Sequence, residues 1–363
     1  MHLTEDKQET GFGISDDDIL TRSREETDIT FSSAVDVVLS LACRNKCGYC
    51  RFSKRNQDLT VPYSTIKTFK AAKKAGAREA HLVAGERPDK FHAIRAKFDV
   101  WGFNSYIEYI YTIAELAFLE GLLVNLEVGY LSLTELKYLK EIITSVEMSL
   151  ESTNRDFLQS VHHQYSPSKD PNIRIKFIEN AGKLNIPTNT GILIGIGESP
   201  EERIRAFVRI KDLHEEYGHI QSVKINTFVP EKNTPMSEEQ PVSDETLYET
   251  IRLAREIMPK DVDITIPVNI HQDIIKLVEH GVNDLGQIRV YGRASLFPKM
   301  PFKTIEEYQA ELALGGYTLH KQLPIKNQFI LAQKYSKKLG QFLDKHRAKL
   351  KDNMREDKFM LTF

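Results

Sequence analysis

The sequence predicts an α/β protein, a (β/α)8 TIM-type barrel with an N-terminal arm and a C-terminal helical extension. About eight apolar segments alternate with segments of helical length over roughly 250 residues, as expected for βαβ units that form one parallel sheet. The first apolar segment leads into a cysteine-rich loop, and it lacks the GxGxxG turn typical of an open doubly wound sheet. We therefore favour the closed barrel, with the open sheet as the alternative.

Each predicted strand is an apolar run bounded by turn residues, and each predicted helix has amphipathic periodicity. Strands are predicted at 35–41, 79–83, 122–127, 145–150, 190–196, 222–229, 263–266 and 284–290. Helices are predicted at 63–75, 105–119, 133–139, 173–184, 201–217, 244–257 and 270–280. These positions divide the chain into a polar N-terminal arm (1–30), a barrel (31–300) and a basic helical extension (301–363), which is typical of a solvated surface helix.

The overall composition is that of a soluble globular protein. Across 363 residues, 49 basic and 51 acidic residues give a formal net charge of −2, which does not indicate a nucleic-acid-binding surface. No apolar run approaches the ~18 residues of a membrane span. The polar, acidic N-terminus lacks the apolar stretch of a secretory signal. We expect a cytoplasmic protein with no nucleic-acid or membrane partner.

The cysteines are the most informative residues of the chain. There are three, Cys43, Cys47 and Cys50, and they form a C-x3-C-x2-C pattern directly after the first predicted strand. Three thiolates on one loop can bind three irons of a [4Fe–4S] cluster and leave the fourth iron open to a chelating ligand. The pattern therefore predicts a metal centre rather than a disulfide framework.

A structural zinc site and inert core cysteines are the two alternative interpretations of this pattern. A structural zinc site needs four protein ligands, and no histidine lies between His2 and His81 to supply a local fourth one. Inert core cysteines would not be expected beside Arg44, Lys46 and Arg51, which favour thiolates. An iron–sulfur cluster remains the favoured interpretation.

The cysteine spacing, its place after the first strand, and Tyr49 and Phe52 around the last cysteine resemble the radical S-adenosylmethionine (SAM) superfamily. The resemblance implies that Cys43, Cys47 and Cys50 hold a [4Fe–4S] cluster, whose open iron binds the amino and carboxylate groups of SAM. Reductive cleavage of SAM would then give methionine and a 5′-deoxyadenosyl radical. A low-potential electron donor is implied as well.

Longer segments resemble one family within that superfamily, CofG, a subunit of deazaflavin (FO) synthase. The resemblance runs from about residue 30 to about residue 330, and its most specific parts are the cysteine loop and TGILIGIGE. The segments that carry it are CRNKCGYCRF, GERPD (85–89), SPSKDPNIR (166–174), AGKLNIPTNTGILIGIGESPEERI (181–204), HEEYGHIQ (214–221) and GVNDLGQI (281–288).

The resemblance implies a set of SAM contacts: Gly85 and Glu86 for the amino group, Glu151 and Arg174 for the ribose and carboxylate, and Gly195 and Gly197 for the adenine, with Tyr49 beside them. Each of these motifs has a structural alternative. The Gly–Glu pair is also a common polar turn, and a glutamate with an arginine is also a common salt bridge. The glycines, with Gly191 and Glu198, also suit tight strand–helix packing.

Residues that handle substrate protons are harder to assign from sequence. His162 and His163 are more often exposed loop residues than catalytic ones. Tyr49, Asn226 and Arg289 are candidates by position alone.

Some segments depart from the CofG pattern, and they cluster at predicted strand ends, where a barrel places its substrate contacts. A threonine expected shortly before the Gly–Glu turn is replaced within Leu82-Val83-Ala84. A histidine- and asparagine-containing stretch is replaced by 124–129 (VNLEVG). The GGIS stretch and the segment after it are replaced by 286–289 (GQIR) and 291–298 (YGRASLFP).

The resemblance implies FO synthesis for coenzyme F420, a carbon–nitrogen lyase reaction. In it, the adduct of a tyrosine-derived hydroxybenzyl group with ribitylaminouracil closes to the deazaflavin with loss of ammonia. A CofH-like partner enzyme would supply this small-molecule substrate. The departures leave open a paralogue that acts on another cofactor precursor. A non-catalytic iron–sulfur or zinc-binding protein is the alternative from another class.

Overall fold

The computed structural model describes residue 20 and residues 24–52, 58–292 and 303–360, with side chains as far as residue 353. Eight parallel strands close into a barrel, because β1 pairs with both β2 and β8. A ninth strand pairs with the amino-terminal half of β1, residues 28–32. The strands are β1 (Asp28–Ser40), β2 (Glu79–Ala84), β3 (Leu123–Glu127), β4 (Ser145–Glu147), β5 (Thr188–Ile194), β6 (Ile220–Thr227), β7 (Asp263–Thr265), β8 (Asp284–Arg289) and β9 (Thr318–Gln322).

Helices cover the barrel from outside, and local sequence signals begin several of them. Ser132 and Ser199 form capping boxes with Glu135 and Glu202, and Pro200 occupies the first turn of its helix. The helices are α1 (Pro62–Lys74), α2 (His92–Trp101), α3 (Tyr106–Leu119), α4 (Leu133–Leu139), α5 (Pro171–Lys183), α6 (Pro200–Tyr217), α7 (Asp244–Ile257), α8 (Ile274–Glu279), α9 (Ile305–Leu314), α10 (Asn327–Leu331) and α11 (Lys337–Met360).

The predicted (β/α)8 barrel is confirmed, with differences at its margins. Strand β1 begins at Asp28 rather than at residue 35, so it reaches into the segment that the sequence assigned to an N-terminal arm. Its polar residues Asp28, Thr30, Ser32 and Ser33 are all buried. An apolar-run criterion does not find these polar residues. Three of them have polar partners inside the fold: Thr30 Oγ1 donates to Asp284, Ser33 Oγ donates to the Gly76 carbonyl, and Asp28 contacts His320. Residues 1–19 of the predicted arm lie outside the described residues.

The C-terminal extension is not only helical. Strand β9 runs parallel to β1, with Asp28 opposite Thr318 and Ser32 opposite Gln322. The Lys326 ammonium that follows is buried at the amino-terminal end of the barrel, where it contacts Asp263 and the Gln221 carbonyl. This segment therefore covers the amino-terminal end of the barrel. The carboxyl ends of the strands, at the opposite end, stay uncovered by it. No helix within the described residues is long and apolar enough to cross a membrane.

Candidate active site

A cavity of about 350 Å³ opens at the carboxyl ends of the strands, where the active sites of such barrels lie. It extends from the cysteine loop to the barrel lumen. It brings together all three cysteines and most of the predicted site residues. Those lining it are Cys43, Cys47, Cys50, Tyr49, Gly85, Glu86, Glu151 and Arg174, with Asn45, Glu127, Glu147, Lys169, Leu193, Asn226, Phe228 and Ile270 among the others.

The cysteine loop is held by backbone contacts on both sides. The N–H of Arg44 donates to the Glu86 carbonyl at 2.8 Å, and the N–H of Gly48 donates to the His162 carbonyl at 2.9 Å. At Gly85, a Cβ would overlap the Ala42 carbonyl oxygen and lie 2.8 Å from the Cys43 Cβ. Only glycine lets the end of β2 approach the cysteine loop this closely.

The surroundings of the sulfur atoms fit a cluster. The Glu86 N–H donates to Cys43 Sγ at 3.2 Å, as hydrogen bonds to cluster thiolates do. Burial raises the pKa of the Cys43 thiol to about 12 and also raises the pKa of Cys50. Thiols in such a site become thiolates when a metal centre compensates their charge. Three cysteines on one cavity wall, with open volume beside them, match a cluster held by three thiolates.

The Glu151 carboxylate is the centre of a second group of side chains, next to the cysteines. It accepts a 2.7 Å hydrogen bond from the Tyr49 hydroxyl and contacts the Lys169 ammonium. The Arg174 guanidinium and His163 Nε2 lie at 3.5 and 3.4 Å. Although burial alone would raise the pKa of Glu151, Arg174 and Lys169 hold it well below its usual range.

Backbone conformation and burial place this carboxylate. Glu151 has a φ of +64°, a left-handed conformation that is uncommon for a glutamate. The Arg174 side chain is buried, its NH1 donates to the Ser149 carbonyl, and its Nε has no hydrogen-bond partner among the described residues. A buried guanidinium with an unused donor suits an additional anionic ligand such as a carboxylate.

The remaining predicted contacts divide into two groups. The Glu86 carboxylate accepts from the Tyr130 N–H at 3.2 Å and lies against Gly129, at the cavity wall. Gly195 and Gly197 both have positive φ but do not line the cavity. Instead, the Gly195 N–H donates to the Glu198 carboxylate at 3.0 Å, so these glycines form a turn closed by Glu198.

Sequence reasoning missed two members of the Glu151 group. The expectation that His163 is an exposed loop residue is wrong, because it is 3% exposed and its Nε2 lies 3.0 Å from the Tyr49 hydroxyl oxygen. Lys169 lies in the SPSKDPNIR segment but was given no role. The sequence did contain a signal for this group: two cationic residues, Lys169 and Arg174, lie close together on either side of the start of α5.

A network of charged side chains crosses the barrel lumen beneath the cavity, and sequence reasoning did not find it. His81 Nδ1 lies 3.0 Å from Asp36 Oδ1, and His81 Nε2 lies 3.2 Å from Glu127 Oε2. Arg289 Nε donates to Asp36 Oδ2 at 2.8 Å, while the Lys224 ammonium contacts Glu147. Arg289 and Asn226 are sequence candidates by position alone, and the members of this network, on six different strands, cannot be paired by periodicity.

A closed parallel barrel with a three-cysteine loop at the carboxyl end of its first strand defines a radical SAM type of enzyme. The Radical SAM superfamily model matches residues 37–210, which include this loop and the Glu151 group. The superfamily implies a [4Fe–4S] cluster and SAM as cofactors.

Curated relatives narrow the assignment. The 7,8-didemethyl-8-hydroxy-5-deazariboflavin synthase of Archaeoglobus fulgidus is 35% identical over 319 residues, which is 88% of this chain and 96% of the relative. The synthase of Methanocaldococcus jannaschii is 35% identical over 313 residues, covering 86% and 87% of the two chains. The chain belongs to the family of the 7,8-didemethyl-8-hydroxy-5-deazariboflavin synthases.

Solved structures support the fold. The FeFe-hydrogenase maturase HydG from Carboxydothermus hydrogenoformans superposes with a TM-score of 0.65 at 19% identity, covering 92% of this chain and 79% of the maturase. Methylornithine synthase (PylB) superposes with a TM-score of 0.61 at 16% identity, covering 81% and 84%. At these identities the likeness shows the barrel architecture alone.

Proposed function

We propose that this chain is a deazaflavin (FO) synthase subunit that catalyses the radical step of FO formation, in coenzyme F420 biosynthesis. The observation that carries the proposal is that one cavity joins the three-cysteine loop, Glu151 with its cationic partners, and the barrel lumen. When bound, the [4Fe–4S] cluster and SAM supply a 5′-deoxyadenosyl radical. The reaction would be a carbon–nitrogen lyase reaction in which the hydroxybenzyl–ribitylaminouracil adduct closes its ring and loses ammonia.

The chain's own residues would position these groups. Cys43, Cys47 and Cys50 would hold the cluster. Glu86 with Gly85 would bind the SAM amino group, because carbonyl and carboxylate oxygens accept from an ammonium group. Arg174 would bind the SAM carboxylate through its free Nε donor, and Glu151 would accept from the ribose hydroxyls.

Other parts of the site have supporting roles in this proposal. Tyr49 would orient Glu151 through its hydroxyl group. The turn at Gly195 and Gly197 stays a proposed adenine contact, which would require the adenine to extend beyond the cavity. Buried cavity walls would keep water from the radical, as radical chemistry requires. We further propose a cytoplasmic enzyme that receives its substrate from a CofH-like partner and its electron from a low-potential donor.

An anaerobic turnover assay tests the proposal. Reconstituted protein with SAM, a reductant and the tyrosine–ribitylaminouracil adduct should form 5′-deoxyadenosine and the fluorescent deazaflavin together. Cys47→Ala should lose iron, sulfide and both products. Wild-type protein that forms 5′-deoxyadenosine but no deazaflavin would refute FO synthesis. Zinc at one atom per chain with no SAM cleavage would refute the enzyme assignment itself.

A second candidate is a paralogue that acts on a different cofactor precursor. The departures from the CofG pattern favour it, because Val83, Ala84 and Glu127 all line the cavity. The same turnover assay separates the two, since the paralogue would cleave SAM without making deazaflavin from this adduct.

A further inference from the structure

The lumen end of the cavity contains an acceptor that none of the proposed steps uses, the Glu127 carboxylate at the end of β3. Its side chain is 41% exposed, whereas those of its neighbours Asp36 and Glu147 are 6% and 7% exposed. His81 Nε2 lies 3.2 Å from one of its oxygens, a close ionic contact without hydrogen-bond geometry. Glu127 therefore faces the cavity with acceptor capacity to spare, since a carboxylate offers about four lone-pair sites.

Each carboxylate of this network already has a cationic partner. Asp36 pairs with Arg289 and His81, Glu127 pairs with His81, and Glu147 pairs with Lys224. Glu79, at the start of β2, accepts from the Gln287 amide at 3.3 Å. Burial alone would lower the pKa of His81, but its contacts with Asp36 and Glu127 raise it to about 10. A ligand that adds positive charge would therefore compete with cations that are in place.

A metal ion is the obvious alternative ligand. The candidate ligand atoms of His81, Glu127 and Glu147 lie within 4.8 Å of one another. However, both ring nitrogens of His81 face carboxylates, and a protonated imidazole has no lone pair for a metal. The Lys224 ammonium also occupies Glu147. Carboxylates that already have cationic partners can still accept hydrogen bonds. They therefore suit a neutral ligand rich in hydroxyl or N–H donors better than a cation.

The walls of the cavity differ in polarity. Glu127 and Glu147 end β3 and β4, whereas Phe228 and Ile270 follow β6 and β7. In a closed eight-stranded barrel, β3 and β7 are diametrically opposed. One side of the lumen therefore offers carboxylate acceptors, and the other presents Phe228 and Ile270 beside the neutral polar residues Asn226 and Thr227. Such a site fits an amphiphilic molecule, with a flat ring against Phe228 and Ile270 and a polyol on the carboxylates.

We propose that Glu127 binds the hydroxyl-rich side chain of the substrate and thereby determines which substrates the cavity accepts. The inference rests on the proposed function, which supplies a substrate with a ribityl chain, and it assigns that chain to the lumen. The reacting part of the substrate then lies toward the cysteines. Binding a non-reacting part at a distance in this way can hold the reacting atoms in place.

The test compares two stable probes by fluorescence titration on the purified protein: the deazaflavin product, and its analogue with a methyl group instead of the ribityl chain. Wild-type protein should bind the ribityl compound about 10- to 100-fold more tightly, as expected for one or two hydrogen bonds to a charged group. Glu127→Ala should remove most of this preference and leave the affinity for the methyl analogue unchanged. Glu231→Gln, at a carboxylate paired with Arg51 instead, should preserve the preference.

Several results would overturn the inference: equal affinity of the wild type for both probes, binding of neither probe, or equal weakening of both probes in Glu127→Ala. A bound Mn²⁺ signal in paramagnetic resonance that disappears in Glu127→Gln would also overturn it, in favour of a metal site. The proposed function fails separately, through the absence of deazaflavin in the turnover assay. A ribityl preference that depends on Glu127 would stand even then.

Discussion

At the scale of single residues, Glu151 shows how the site is prepared for a ligand. Its carboxylate is surrounded by a phenol, an ammonium, an imidazole and a guanidinium, all within 3.5 Å. Lys169 also lies 5.7 Å from the centre of the Tyr49 ring, within range of a cation–π contact. The carboxylate is therefore fixed before any ligand arrives, which lowers the entropy lost on binding.

Removing one of these donors should weaken SAM binding. Tyr49→Phe deletes the hydroxyl that donates to Glu151 at 2.7 Å. Because this hydroxyl orders Glu151 before SAM binds, its loss adds the cost of ordering one side chain, about 0.5–1.5 kcal/mol, and we expect the dissociation constant of SAM to rise by about 2- to 10-fold. Calorimetric titration of the reconstituted protein measures it. Tyr111→Phe, whose hydroxyl accepts from Lys338, is the matched control. Equal SAM affinity in Tyr49→Phe and wild type would argue against this role.

The His81 network should make stability depend on pH. Contacts with Asp36 and Glu127 raise the pKa of His81 to about 10, above the ~6.5 of an unfolded histidine. The stabilisation is therefore complete below about pH 6.5 and is lost as the pH rises through about 10. Its upper bound is on the order of 4–5 kcal/mol. In urea unfolding of the cluster-free protein, the stability difference between wild type and His81→Gln should shrink from pH 6 to pH 10. A difference that is constant with pH would contradict the assignment of charge to His81.

At the scale of elements, the approach of β2 to the cysteine loop depends on Gly85. Gly85→Ala would place a methyl group onto the Ala42 carbonyl and the Cys43 Cβ. We expect loss of cluster incorporation and a destabilisation of about 1–3 kcal/mol, typical of overpacking. Iron content and thermal unfolding measure the two effects. In Gly340→Ala the new methyl meets only the flexible end of Asp344 within α11, so that variant should keep the cluster. Normal iron content in Gly85→Ala would show that the loop tolerates the displacement.

The elements also show what the sequence could predict. The strands with apolar runs, such as β5 and β6, were found because both of their faces are buried. Strand β9 (TLHKQ, 318–322) was missed, because four of its five residues are polar and most are only partly buried. Helix α2 was missed because its sequence, HAIRAKFDVW, begins without a side-chain cap.

The residues of the candidate site also divide into those that the sequence could predict and those that it could not. The cysteines, Glu86, Glu151 and Arg174 were predictable because their motifs are local and resemble a known superfamily. The lumen network was not, because Asp36, His81 and Glu127 are far apart in sequence and meet only when the barrel closes. A charged residue within a strand gives no sign of which strand holds its partner.

At the scale of the whole molecule, the two ends of the barrel contain different kinds of polar network. At the carboxyl ends, an open cavity is lined by Glu127 and by Glu151, Lys169 and Arg174. At the amino-terminal end, Arg24, Asp263, Asp284 and Lys326 are joined in ion pairs, mostly buried, that include the segment after β9. The ion pairs at the amino-terminal end close the fold there. The carboxyl ends of the strands are therefore the accessible end of the barrel.

This arrangement makes the C-terminal segment part of the folding unit. A chain that ends at residue 302 would lose β9 and Lys326, leaving Asp263 and Asp284 buried without that ammonium and β1 with an open edge. Breaking a buried ion pair costs about 3–5 kcal/mol, a large fraction of a typical domain's stability. We therefore expect the shortened chain to be insoluble or to unfold at a much lower temperature.

In the full chain, Lys326→Ala should lower the unfolding midpoint and Lys326→Arg should lower it less, because a cation is retained. Thermal unfolding followed by circular dichroism measures all three proteins. A shortened chain with the midpoint of the full chain would show that the barrel is complete without this segment.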